Sequence, residues 1–315
     1  MRILANDGID AAGKRLLEEA GFEVDTNHIP QEELADKLNG YDAITVRSAT
    51  KVRQALIDAC PNIKAIGRGG VGMDNIDVDY ARSKGIAVLN TPAASSLSVA
   101  ELVFGHLLNG VRFLYDSNRN MPTKGSTNFG ELKKAYAKGV ELRGKTLGVV
   151  GFGRIGRETA KVALGLGMDV IYTDLFDGPN VLSLTFTGNT IVELPVKQVS
   201  FQEVLKQSDF ITLHVPFLDK PAIGKDEFAL LKDGVGLVNA SRGGVIDEIE
   251  LIKALNSGKV SFAALDVFDN EPTPRTEILS HPRISLTPHI GAATNEAQER
   301  IGVELATLLI DALKK

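Results

Sequence analysis

The chain has 315 residues, 43% of them hydrophobic and 24% charged, and its 35 basic and 40 acidic residues leave a formal net charge of −5. That length suits two domains, the acidic balance argues against a general nucleic-acid binder, and no apolar run approaches the ~18 residues of a membrane span. One cysteine, Cys60, excludes an internal disulfide, and Met1 opens into a strand-like run rather than a signal sequence, so a cytoplasmic protein is expected.

The first third alternates short apolar strands with amphipathic helices. Residues 2–6 read as a strand, and 10–20 as a helix with Ala11, Leu16, Leu17 and Ala20 on one side, ended by Gly21. Strands follow at 22–26, 43–46, 63–67 and 86–89, with helices at 31–38, 51–59 and 76–83 between them. Such alternation with short loops predicts a parallel sheet with helices on its faces. Residues 98–114 then read as a longer helix, apolar enough for burial between domains or subunits. The polar stretch 116–139, rich in Lys, Asn, Gly and Thr, reads as an irregular arm.

A second alternating series begins at Lys145. Strands are expected at 146–150, 168–173, 210–214, 236–239, 262–265 and 283–286, and helices at 155–166, 248–257 and 295–313. Between Asp174 and Ser200, apolar and polar residues alternate on both sides of Gly188-Asn189, which is the pattern of a β-hairpin with a primed turn and holds no catalytic group.

Gly-Phe-Gly-Arg-Ile-Gly at 151–156 follows a strand and opens a helix, the context a dinucleotide fingerprint requires. Gly151 permits the tight turn, Gly153 lets a pyrophosphate approach the backbone, and Gly156 lets the strand pack on the helix, whose free N-terminal N–H groups then face the phosphates. Asp174, eighteen positions after Gly156, can accept from a ribose 2′-hydroxyl and would repel a 2′-phosphate, favouring NAD over NADP. For Asp174 taken alone, a solvated acid at a strand end is the less favoured alternative.

Three residues carry chemistry. Arg242, in Ser-Arg-Gly-Gly, follows an apolar strand where ligands of a parallel sheet bind, and its bidentate cation suits a substrate carboxylate. Glu271 stands in Asn-Glu-Pro and His289 in Thr-Pro-His-Ile-Gly. Singly, Glu271 reads as a loop acid, while His289 reads equally well as a packed or solvated loop histidine and as a catalytic one. Jointly, at strand-end loops of one series, they read as a proton-transfer pair: a histidine with an ordinary pKa near ~6.5, held charged and oriented by a carboxylate. No ligand-spaced His/Cys/Asp cluster suggests a metal.

Dense motifs add a resemblance: Val-Arg-Ser-Ala-Thr-Lys-Val at 46–52, Gly-Arg-Gly-Gly-Val-Gly-Met-Asp-Asn-Ile-Asp at 67–77, Asn-Thr-Pro at 90–92, Gly-Lys-Thr-Leu-Gly at 144–148, Asn-Ala-Ser-Arg-Gly-Gly-Val-Ile-Asp-Glu from 239, Ala-Leu-Asp-Val-Phe at 264–268, and Thr-Pro-His at 287–289. Throughout its length the chain resembles the D-2-hydroxyacid dehydrogenases, and within them the phosphoglycerate dehydrogenases. The resemblance implies Arg242 as carboxylate binder and Glu271–His289 as acid–base pair. It puts Gly151, Gly153, Arg154, Ile155 and Gly156 at the pyrophosphate, Asp174 at the adenosine ribose, and His214, Val215, Pro216, Ala240, Ser241, Asp266, Gly291 and Ala292 along the cofactor, with Asp266 accepting from the carboxamide. It puts Arg47, Ser48, Gly69, Gly70, Arg242 and His289 at the substrate.

In the same way it makes Arg47 the phosphate-facing residue, although Ala49 stands where some relatives carry a second arginine. Lys133 or Lys134 would reach a neighbouring subunit's substrate, in an arm that lacks the family's usual tryptophan. Because the sequence stops just after the last helix, serine feedback through a regulatory domain is not expected.

The expected architecture is α/β: two doubly wound parallel-sheet domains, a Rossmann-type NAD-binding domain at 96–288 inserted in a flavodoxin-like substrate domain at 1–95 plus 289–315, with hydride transfer in the cleft between them. The resemblance implies a homodimer through the helix at Ser98 and the 116–140 arm. It also implies NAD-dependent oxidation of D-3-phosphoglycerate to 3-phosphohydroxypyruvate, the first step of serine biosynthesis. The alternatives are a reductase of glyoxylate, hydroxypyruvate or another 2-keto acid and, from another class, an NAD-sensing scaffold like the family's corepressor member.

Overall fold

A computed structural model describes residues 1–217 and 219–314. The first series runs β1 (Arg2–Ala5), α1 (Ala11–Glu19), β2 (Glu23–Asp25), α2 (Leu34–Lys37), β3 (Ala43–Val46), α3 (Gln54–Ala59), β4 (Ala65–Arg68), α4 (Val78–Ser83) and β5 (Ala87–Asn90). Three helices follow: α5 (Ser96–Val111), α6 (Leu114–Lys124) and α7 (Phe129–Ala135). The second series begins with β6 (Thr146–Val150), α8 (Arg154–Gly165), β7 (Asp169–Thr173), β8 (Val181–Thr185), β9 (Ile191–Pro195), β10 (Lys197–Gln198) and α9 (Phe201–Gln207). It continues with β11 (Phe210–Leu213), α10 (Lys225–Leu230), β12 (Val235–Asn239), α11 (Glu248–Ser257), β13 (Val260–Leu265), α12 (Thr276–Leu279), β14 (Ile284–Leu286) and α13 (Asn295–Leu313).

Two units emerge. One comprises Met1–Ser98 with Ala292–Lys315, the other Val99–Gly291, so the divisions fall three residues beyond the expected 95/96 and 288/289. In the first unit the strands pair in parallel in the order β2-β1-β3-β4-β5, the flavodoxin-like order. Because side chains alternate across a strand, Ile3 joins Leu17, Leu305 and Leu309 in one layer while Leu4 joins Leu34, Ile44 and Ile66 in the other, and both layers are buried. Burying Leu17, Leu305 and Leu309 contributes roughly 1.5–3 kcal/mol each. Helices α1 and α13 touch backbone to backbone: a Cβ on Gly13 would lie 2.4 Å from the Gly302 carbonyl oxygen.

The second unit has a seven-stranded parallel sheet ordered β10-β7-β6-β11-β12-β13-β14, the doubly wound Rossmann arrangement with a strand added. The chain reverses its winding between β6 and β11, which opens a crevice at the carboxyl ends of those strands. Helices α5 and α8 cover one face through Phe104, Leu107, Ala160 and Ala163, packed on Leu147, Val149 and Phe210. The hairpin β8–β9 stands apart as a two-stranded antiparallel sheet, pinned by Leu182 and Leu184. Its turn residues Gly188 and Asn189 both have positive φ, 78° and 60°.

The arm departs from expectation. Residues 114–124 and 129–135 are helical, not irregular. Composition hid this, because the helices are held by long-range polar contacts: the Tyr136 hydroxyl donates to Asp116 at 2.7 Å and receives a hydrogen bond from Asn120 at 3.0 Å. No single helix among the described residues is long and apolar enough to cross a membrane.

Candidate active site

Six loops of the second unit leave the carboxyl ends of parallel strands and carry nearly all its candidate residues. Gly151 follows β6, Asp174 follows β7, His214 to Pro216 follow β11, Ala240 to Arg242 follow β12, Asp266 to Glu271 follow β13, and Thr287 to Gly291 follow β14. A parallel sheet gathers these sequence-distant turns along one edge.

The glycine loop has the shape of a dinucleotide cradle. Gly151 has φ 91°, and a Cβ there would meet the His214 carbonyl oxygen at 2.6 Å. A Cβ on Gly156 would lie 2.2 Å from the Gly151 carbonyl oxygen, whereas one on Gly153 meets nothing within 4 Å. Gly153 caps α8 without any side-chain acceptor, so the first N–H groups of a twelve-residue helix are left for a ligand. The Asp174 carboxylate accepts from the Phe152 N–H at 2.5 Å and the Phe176 N–H at 3.2 Å, fixing this acid to the turn. Beneath the loop, Phe152 stacks on Tyr172 with centroids 3.6 Å apart. Arg154 is exposed and Ile155 half-buried at the start of α8. The His214 imidazole, beside Thr212 Oγ1 at 3.1 Å, is pushed by burial down to about 3 and is therefore neutral.

The acid–base candidates meet. His289 Nδ1 lies 2.9 Å from Glu271 Oε2, and both side chains stay partly open, 42% and 36% exposed. Burial opposes ionisation of Glu271. The hydrogen bonds from His289 and the Phe268 N–H, with the charges of His289 and Arg242, outweigh it and hold the carboxyl below its ordinary range. Nδ1 is thus engaged by the carboxylate and Nε2 is the nitrogen left for a substrate. Arg242 sits in a turn tied by Asn239, whose Oδ1 accepts from the Ser241 N–H and hydroxyl while its Nδ2 donates to the Arg242 carbonyl. Asn239 is a site-shaping residue whose signal is local: an Asn before Ala-Ser-Arg-Gly marks an Asx-turn.

Asp266 is 1% exposed, and both its oxygens are engaged inside the protein. Oδ1 accepts from Thr287 Oγ1 at 2.6 Å and the Ile290 N–H at 2.8 Å, and Oδ2 accepts from the Gly291 N–H at 2.8 Å. These bonds span the turn in which His289 takes φ 55°, the left-handed region that non-glycine residues adopt only when held there.

In the first unit, Asp7 accepts from the Arg47 N–H at 2.6 Å and from the Thr50 N–H and hydroxyl, while Asn75 donates to the Arg47 and Thr50 carbonyls. The loop carrying Arg47 and exposed Ser48 is therefore fixed. Neither Asp7 nor Asn75 announces this role in the sequence. Gly69 and Gly70 follow β4, and Ala292 accepts from the Gln298 side chain at 2.6 Å. On α7, Lys133 and Lys134 are exposed.

Comparison with known proteins agrees with this geometry. Residues 104–291 match the family model of the D-isomer specific 2-hydroxyacid dehydrogenase NAD binding domain. The chain is 42% identical over 318 residues to the hydroxypyruvate reductase of Thermotoga maritima, covering 99% of this chain and 98% of that protein. It is 41% identical to the D-3-phosphoglycerate dehydrogenase of Methanocaldococcus jannaschii, all of it aligned with only 57% of that longer protein. A glyoxylate reductase structure from Paecilomyes thermophila superimposes with a TM-score of 0.85 at 32% identity, over 100% of this chain and 96% of that one. The fold, the glycine cradle and these likenesses converge: the chain belongs to the D-2-hydroxyacid dehydrogenases and is an NAD-dependent enzyme of that family.

Proposed function

We propose that the chain oxidises D-3-phosphoglycerate to 3-phosphohydroxypyruvate, the first step of serine biosynthesis, in the cytoplasm. The observation that carries the phosphate preference is Arg47. Its backbone is pinned by Asp7 and Asn75, and its half-buried guanidinium makes no side-chain hydrogen bond among the described residues. Burial lowers its pKa against the pull of Asp7, as expected of a cation placed for an anionic partner.

In this reading Arg242 grips the substrate carboxylate. His289 takes the hydroxyl proton on Nε2, and Glu271 stabilises the imidazolium that forms. NAD, when bound, supplies the hydride acceptor. In the reverse direction His289 returns the proton to the keto oxygen. Arg47, with Lys133 or Lys134 from a neighbouring subunit, would meet the phosphate.

A second reading, reduction of unphosphorylated hydroxypyruvate or glyoxylate, is favoured by the near full-length likeness to hydroxypyruvate reductase. Steady-state comparison of phosphohydroxypyruvate with hydroxypyruvate separates the two. Under the first, the phosphate raises kcat/KM about tenfold or more and Arg47→Ala removes most of the gain, as loss of a charged hydrogen bond should. No gain from the phosphate would leave the second.

We also infer a homodimer through α5 and the arm. Leu114, Met121, Phe129 and Val140 are exposed there, beside a cavity of about 450 Å³ lined by Val111, Phe113, Phe210, Phe262 and Ile284. Light scattering should give the mass of two chains, falling to one in Phe129→Asp.

A further inference from the structure

On α5, far in sequence from the proton-transfer pair, lies a buried histidine that the mechanism above does not use. His106 is 4% exposed. Its Nδ1 is 2.8 Å from Ser285 Oγ and its Nε2 is 2.9 Å from Thr287 Oγ1. Ser285 receives a further hydrogen bond from Asn109 Nδ2 at 2.7 Å, and Thr287 gives one to Asp266 at 2.6 Å.

Counting protons orders this chain. Asp266 accepts from the Thr287 hydroxyl as well as from the Ile290 and Gly291 N–H groups, so the single Thr287 proton is spent on it. Thr287 Oγ1 must then accept from His106, which puts the imidazole proton on Nε2. Nδ1 is left as an acceptor, and the Ser285 hydroxyl, itself accepting from Asn109, supplies the donor. Every group is matched in one arrangement, with a neutral imidazole. Burial favours that neutral form, opposing the pull of the Asp266 charge.

The output of the chain is Asp266, whose two oxygens span the turn that keeps His289 at φ 55° and 2.9 Å from Glu271. We propose that His106 is a positioning residue for His289: through Thr287 it fixes the Asp266 carboxylate, and thereby the 287–291 turn, in the orientation that presents the imidazole to substrate. The inference rests on the reading of His289 as the proton carrier. An apolar side chain at 106 would leave Thr287 and Ser285 free to reorient, and Asp266 would follow. Sub-ångström drift of a catalytic group is enough to be seen in kcat.

The test is steady-state reduction of 2-keto acid by His106→Phe, His106→Gln, Thr287→Val, the His106→Phe/Thr287→Val double variant and His289→Asn, each normalised to its NADH-binding sites. His106→Phe should lower kcat per site about tenfold or more while KM for NADH stays within about twofold. Gln, whose amide N–H can replace Nε2–H, should recover most of that loss. Thr287→Val should match His106→Phe, and the double variant should be no worse than either single, because one chain is broken twice. If His106→Phe folds poorly, Thr287→Val carries the same comparison. A merely structural histidine would lower the number of binding sites but leave kcat per site at the wild-type value, or give additive losses, and either result overturns the proposal. Turnover retained in His289→Asn would remove the reading beneath it. An inactive His289→Asn beside a fully active His106→Phe would overturn the positioning role alone.

Discussion

Gly153→Ala and Gly156→Ala, three positions apart at the start of one helix, should fail in different ways. At 156 the new Cβ would sit 2.2 Å from the Gly151 carbonyl oxygen, about 1.2 Å short of the 3.4 Å at which ordinary contact begins, and that nearest atom is backbone. Against a backbone atom that cannot swing aside, overpacking lies in the upper part of its ~1–3 kcal/mol range, about 2–3 kcal/mol, and alanine's better helix propensity returns ~1 kcal/mol of it. The net ~1–2 kcal/mol corresponds to a Tm lowered by roughly 2–8 °C for a domain of this size. At 153 the Cβ meets no protein atom within 4 Å. There, the poorer N-cap and the stiffer unfolded chain nearly cancel, leaving stability within ~0.5 kcal/mol of wild type. What the methyl does occupy is the space before the free N–H groups of α8, so the Kd for NADH should rise about tenfold, or ~1.4 kcal/mol. Thermal unfolding followed by circular dichroism reads the first effect. NADH's own fluorescence reads the second, undisturbed because the chain has no tryptophan. Wild-type NADH affinity in Gly153→Ala, or an unchanged Tm in Gly156→Ala, would refute the division of labour assigned to the two glycines.

Other expectations are as direct. Glu271→Gln should lower kcat about a hundredfold or more with little change in NADH affinity, since the hydrogen bond to His289 loses its charge; near-normal kcat would argue against the pair. Asp174→Ser should weaken NADH and narrow the preference over NADPH, read as the ratio of kcat/KM values. Buried Glu248, whose carboxyl burial pushes up although it accepts from the Asp269 N–H, gives a pH test. A raised folded pKa means that the wild type loses stability as pH rises from the unfolded value near ~4.3 to the folded one. Glu248→Gln keeps the acceptor and loses the charge, so its Tm relative to wild type should climb between pH 4 and pH 7. A difference flat with pH would contradict the assignment.

The strands were legible because parallel strands buried on both faces read as unbroken apolar runs, as Leu147 to Val150 and Val235 to Val238 do. The dinucleotide loop was legible because it is local: glycines, helix start and acid all lie within one unit. Helix α9 was overlooked although Ser200 and Glu203 form a reciprocal capping box, a signal present in four residues. The two arm helices were misread because Tyr136 and Asp116, which join them, are twenty residues apart and polar. Least legible was the setting of His289. The residues themselves stood out, but Asp266 as the clamp of their turn, and His106 behind it, become neighbours only when α5 packs beside β14 and the turn that follows it. Nothing in a 179-residue separation announces that.

The crossing of α1 and α13 at Gly13 and Gly302 bears on how the molecule is made. The strands β1 to β5 leave the ribosome first, yet the layer over Ile3, Ala43 and Ala65 is completed by Leu305 and Leu309. All of residues 99–291 must be synthesised in between. At ~5–20 residues per second that interval is roughly ten to forty seconds, during which α1 alone covers one face of an apolar sheet. The nascent chain is thus exposed to chaperones on that face for far longer than the second unit, whose strands and helices emerge in one uninterrupted stretch. Circular permutants that synthesise α13 ahead of β1 should shorten the wait.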